Sequence, residues 1–103
     1  MRFLIRFHFP TEHGNDLLRD AKFGEKMGRM PADLKAEAAY FTTVDRHRGG
    51  YIVVNLEDAS KIPAMVEPLF FWLKADVEFI PVMLPQDLAK AGDDIAAAMK
   101  KWG

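Results

Sequence analysis

The chain opens Met1-Arg2-Phe3-Leu4-Ile5-Arg6-Phe7-His8-Phe9. Phe3, Ile5, Phe7 and Phe9 take the odd positions, and Arg2, Leu4, Arg6 and His8 the even ones. A period of two is a strand, because successive side chains leave opposite faces of a sheet. The odd face is wholly apolar and requires a core. The even face sets two guanidiniums and an imidazole beside one leucine, so chemistry is to be sought there. Pro10 ends the strand, since it cannot donate to a ladder.

Downstream residues supply the other elements. A helix is expected from about Asn15 to Met27, with Pro31 as its latest end. Leu17, Ala21, Gly24 and Gly28 form one stripe, Phe23, Met27 and Met30 another. The glycines suit either a close approach to the sheet or an early helix end near Gly24. A strand lies within Glu37–Val44 and the next is Tyr51–Leu56. Gly49-Gly50 between them reads as the hairpin connection. Asp58 suits an N-cap. Ile62, Met65, Val66, Leu69, Phe70 and Leu73 then follow the spacing of a core-facing helix, with a break expected near Glu67 because of Pro68. Asp76–Met83 is the last strand, and Pro81 within it calls for an edge position or a bulge. A further helix runs from Pro85, with Leu88, Ala91, Ile95, Ala98 and Trp102 on one face.

The order β-α-β-β-α-β predicts an α+β fold: a ferredoxin-like antiparallel sheet, strand order 4-1-3-2, two helices on one face, plus a C-terminal helix. Residues 1–84 form the domain and 85–103 the C-terminal helix. Leu4, Tyr40, Val44, Tyr51 and Val53 have one parity, and Phe3, Ile5, Phe7, Ile52 and Val54 the other. Both sheet faces therefore ask for burial, and a homodimer is expected. The C-terminal helix is expected to dock on the partner subunit or on its own sheet edge.

The stretch Pro68-Leu69-Phe70-Phe71-Trp72-Leu73-Lys74-Ala75-Asp76-Val77-Glu78-Phe79, with Phe3-Leu4-Ile5-Arg6-Phe7, resembles the dimeric α/β-barrel superfamily over residues 1–84. Muconolactone isomerase-like proteins and a family of small uncharacterised bacterial proteins are similar in order and spacing. The resemblance implies two sheets packed face to face across a twofold axis. No catalytic set of the isomerase maps onto this chain residue by residue.

Composition narrows the chemistry. Fourteen basic residues balance fifteen acidic ones. That balance argues against a nucleic-acid partner. There is no cysteine, so thiolate and disulfide chemistry are excluded and a cytoplasmic setting is expected. The first residues do not read as a signal peptide, and Leu69–Leu73, the longest apolar run, is too short for a membrane span. His8, His13 and His47 lack metal-ligand spacing, and Ser60, the only serine, has no nucleophile context. No metal and no cofactor are expected. His13 reads as surface.

Arg6, His8 and Glu78 are the candidate catalytic set. Neighbouring first and last strands would bring Glu78 across from Arg6 or His8. A carboxylate fixes an imidazole tautomer, His8 then moves a proton, and Arg6 holds a developing anion. The alternative is a structural ion pair in an interface. Arg46-His47-Arg48 could bind an anion or be a solvated turn. Tyr40, Tyr51, Asn55 and Trp72 are candidate substrate contacts. Met27, Met30, Met65 and Met83 with Phe23, Phe70, Phe71 and Trp72 would line a pocket for a small apolar or aromatic ligand, or simply fill the core. Two functions follow: a small-molecule binder or cofactor-free enzyme with isomerase-like proton transfer, or a non-catalytic dimeric ligand-binding or assembly module.

Overall fold

A computed structural model describes all 103 residues. It contains β1 (Arg2–Phe9), α1 (Thr11–Leu18), α2 (Phe23–Asp33), β2 (Ala38–Val44), β3 (His47–Asn55), α3 (Ile62–Leu73), β4 (Asp76–Val82), α4 (Pro85–Lys90) and α5 (Gly92–Trp102). The four strands form one antiparallel sheet in the order β2-β3-β1-β4. Read from the other edge this is 4-1-3-2, and Pro81 sits on an edge strand as its missing N–H requires.

The odd face of β1 makes the core. Ile5 and Phe7 are fully buried and Phe9 nearly so, against Ile52, Val54, Leu69 and Leu73. Met30 of α2 and Leu34 just past its end close the same layer.

Several boundaries differ from the sequence reading. The hairpin turns at Asp45-Arg46, not at the glycines. Val44 pairs with His47, and both turn residues have positive φ, 49° and 70°, the signs of a type I′ turn. Asp tolerates that region through its short polar side chain. Gly49 and Gly50 instead lie inside β3, where it is squeezed between two backbones. A Cβ on Gly49 would meet the Phe7 carbonyl oxygen at 2.0 Å, and one on Gly50 the Tyr40 carbonyl oxygen at 2.1 Å.

The expected first helix is two helices. Asp20 accepts the Lys22 backbone N–H at 2.9 Å, a local bond that interrupts the helical ladder. Neither internal proline ends its helix. Pro31 lies within α2 and Pro68 within α3. In α3 the buried anchors Val66, Leu69 and Leu73 hold both sides of Pro68 to the core. Gly24 and Gly28 face open space, so close approach to the sheet is not their role. Asp58 caps as expected, accepting the Ser60 N–H at 2.9 Å ahead of a 3₁₀ turn, Ala59–Lys61.

The C-terminal segment breaks at Ala91 into α4 and α5. Residues 92–103 are all exposed, Trp102 at 79%. α5 leaves its own sheet uncovered, which corrects the alternative of docking on that sheet's edge, and the molecule is drawn out to 58 Å along its long axis. No helix is long and apolar enough to cross a membrane.

Candidate functional site

All the helices that contribute to the core lie on the odd-residue face of β1. The even face is open, and register arranges it in rows. Ala38, Val53, Leu4 and Ile80 are opposed across the sheet and form a wholly apolar row. The next row is Tyr40, Tyr51, Arg6 and Glu78, and the next is Thr42, Gly49, His8 and Asp76. Arg2, between Asn55 and Val82, ends the series.

Arg6 is the hub of the polar end. Its Nη1 donates to Glu78 Oε1, and its Nη2 donates to Asp45 Oδ1 at 2.7 Å. Hydrogen bonds to Asp45, then to Tyr51 and Glu78, raise the guanidinium pKa above its already high value, so Arg6 is always charged. Asp45 reaches back from the hairpin turn to bridge Arg6 and His8. His8 Nε2 lies 3.5 Å from Asp45 Oδ2 and 3.8 Å from Asp76 Oδ2. The His47 ring stacks on His8 at 5.3 Å between centroids, and its Nδ1 donates to the Asp45 carbonyl at 2.7 Å.

The Arg6 hydrogen bond holds the Asp45 carboxyl below its ordinary value of 3.8. Desolvation opposes this, and the charges of Arg6, His8 and His47 add to the lowering. A depressed carboxyl stabilises the fold above its unfolded pKa and loses that contribution as pH falls through the folded one. The stability difference between the natural chain and Arg6→Gln should therefore be widest above 3.8 and narrow below it. Chemical denaturation across acid pH measures this, and a difference that stays constant into strong acid would refute the Asp45–Arg6 coupling.

The structure thus brings Arg6, His8 and Glu78 onto one face, with Arg6 and Glu78 in contact. Tyr40 and Tyr51 share the row of Arg6. Asn55 is on the same face at its other end, where Oδ1 accepts the Met1 amino group at 2.9 Å. Beside it lies a hollow of about 630 Å³ bounded by Met1, Arg2, Val82 and Met83.

Trp72 is not part of this face. It lies in the helical layer, tilted against Phe23 at 5.5 Å, with Lys26 Nζ 4.9 Å above its ring. It borders a separate cleft of about 350 Å³ with Met30, Leu34, Pro68 and Phe71. His13, read as surface, is half-buried and donates from Nε2 to the Trp72 carbonyl at 2.9 Å.

Arg46-His47-Arg48 is not one cluster. His47 faces His8, Arg46 forms the turn, and Arg48 crosses to the helix-covered side and bonds α1. Asp45, the bridging carboxylate, was missed by the sequence reading. It reaches Arg6 and His8 only through the hairpin register, which the sequence reading had turned at Gly49-Gly50.

Fold and site define a class: a small α+β domain with one face of a four-stranded antiparallel sheet open and a charged cluster at one end of that face. The chain belongs to the family described as a domain of unknown function (DUF3303), whose model matches residues 1–96. No curated protein matches it.

Proposed function

We propose that two copies pair through their open sheet faces, as a dimeric α/β barrel does, and that the polar end of each face binds a small molecule and moves a proton with His8. The observation carrying this reading is the convergence of Asp45, Asp76 and His47 on His8, beside an apolar row with no covering layer. In this account His8 is the base, at a side-chain exposure of 19%. Asp45 orients its imidazole, and Tyr51 and Tyr40 flank the ligand. Arg6 and Glu78 act as positioning groups, because the guanidinium is engaged by two carboxylates rather than free to hold an anion. The same pairing gives α5, which has no surface of its own, a partner subunit to dock on.

The engagement of Arg6 also favours a second reading, a non-catalytic dimeric module in which the cluster fixes pairing geometry. A thermal-shift screen of small hydroxy acids, keto acids and lactones separates the two. A ligand at a hundred times its Kd stabilises by about 2.7 kcal/mol, which raises the melting temperature of a domain this size by roughly 10 °C. His8→Ala should keep the unliganded melting temperature and lose that shift. A shift that survives in His8→Ala would contradict the role of His8, and a variant that melts far lower without ligand would favour the structural module.

A further inference from the structure

We infer that a cleft on the helix-covered side of the sheet, walled by Phe9, Phe23, Met27 and Phe41 with Arg48 at its mouth, binds a small apolar carboxylate. The cleft holds about 240 Å³ and is floored by the Gly49 backbone. That volume is below the range of drug-sized pockets and suits a ligand of one ring.

The charge at its mouth has no counterion. Arg2, Arg6, Arg19 and Arg29 each pair with a carboxylate, whereas Arg48 and the turn residue Arg46 pair with none, and of these two only Arg48 borders the cleft. It donates to two neutral acceptors, the Thr11 carbonyl at 3.3 Å and Asn15 Oδ1 at 2.9 Å. A guanidinium carries five N–H donors in a fixed fork, so donors remain for a bidentate carboxylate. The group is also built into its place. Gly14 of α1 is buried beneath it, and a Cβ there would meet Arg48 Nη1 at 2.7 Å and Phe9 Cε2 at 3.0 Å. Glycine at this position lets the helix approach without displacing the guanidinium, which stays beside the aromatic walls. Apolar walls hold a ring by burial, and the single cation selects a carboxylate over a neutral analogue.

This site is independent of the His8 cluster. Phe9 and Arg48 are register partners on the face that α1 and α2 cover, so pairing of the open faces leaves the cleft reachable.

The probes are sodium benzoate and neutral benzyl alcohol, followed by amide chemical shifts in the full chain. Benzoate should give saturable shifts centred on Phe9, Phe23, Phe41 and Gly49. Arg48→Gln should weaken benzoate about tenfold or more, the loss of a charged hydrogen-bonded pair, and leave benzyl alcohol unchanged. Phe41→Ala, at a half-exposed edge position, should weaken both probes, and it decides the matter if Arg48→Gln fails to fold. No saturable shift at millimolar benzoate, or equal benzoate affinity in Arg48→Gln, would overturn the inference. Benzoate shifts confined to Arg6, His8 and Asp45 would overturn it too, while supporting the open-face site.

Discussion

Gly49→Ala is expected to lower the melting temperature by roughly 10–20 °C, and Gly50→Ala by a similar amount. Neither glycine has positive φ, so conformational freedom is not the issue. The added methyl collides with backbone. At Gly49 it would lie 2.0 Å from the Phe7 carbonyl oxygen and 2.9 Å from the His8 Cα, and at Gly50 2.1 Å from the Tyr40 carbonyl oxygen. A side chain can rotate away from such a contact, but a carbonyl in a ladder moves only with its strand. Gly49→Ala must spread β1 from β3, and Gly50→Ala must spread β2 from β3. Overpacking alone costs about 1–3 kcal/mol, and strained ladder bonds add to it, for a total of about 3 kcal/mol or more. Such a loss is a large part of the stability of a domain of this length. Gly49→Ala carries a second consequence, because His8 rides on the strand that moves and would lose its spacing to Asp45. Thermal denaturation by circular dichroism measures the effect. Melting within two or three degrees of the natural chain would show that the strands are not in the close approach described.

The second large effect concerns association. Val53 stands in the middle of the apolar row, between Ala38 and Leu4, on the face without helices. Val53→Asp places a short carboxylate there, which cannot reach past its neighbours to water as a lysine would. In a twofold interface each substitution counts twice. An unpaired buried charge costs several kcal/mol, so association should weaken by more than about a thousandfold. The isolated fold should survive, because the core lies on the other face, with Ile52 and Val54 as the buried β3 residues. Sedimentation with circular dichroism separates the outcomes. An unchanged mass would remove the apolar row from the interface, and unfolding would show that Val53 serves the monomer instead.

Much of this was legible in the sequence wherever periodicity carried the signal. The alternation Phe3 to Phe9 identified both the core face and the polar face, and strand order followed from element order. The Arg6–Glu78 contact followed from that order in turn. Glycine and proline were less readable, because each serves more than one physical purpose. A Gly-Gly pair marks a turn when φ must be positive and a close approach when a Cβ has no room, and only three dimensions tell these apart. The turn fell instead on Asp45 and Arg46, residues whose positive φ has no strong sequence mark. Pro31 and Pro68 read as breaks because local propensity opposes them, yet core burial of Met30 and Leu34 around Pro31, and of Val66 and Leu69 around Pro68, secures the chain on either side. The site was half legible for the same reason. His8 and Arg6 came from the strand, whereas Asp45 and His47 joined them only once the hairpin register was fixed. Trp72 carried a pocket-like signature but belongs to a different layer.

Pairing of the open sheet faces is tested by sedimentation equilibrium of the unaltered chain at micromolar concentration. A single species of twice the 11.7 kDa chain mass is expected. A stable species of 11.7 kDa would contradict it, leaving the apolar row of Leu4, Ala38, Val53 and Ile80 in water and the His8 cluster without the enclosure that the proposed chemistry requires.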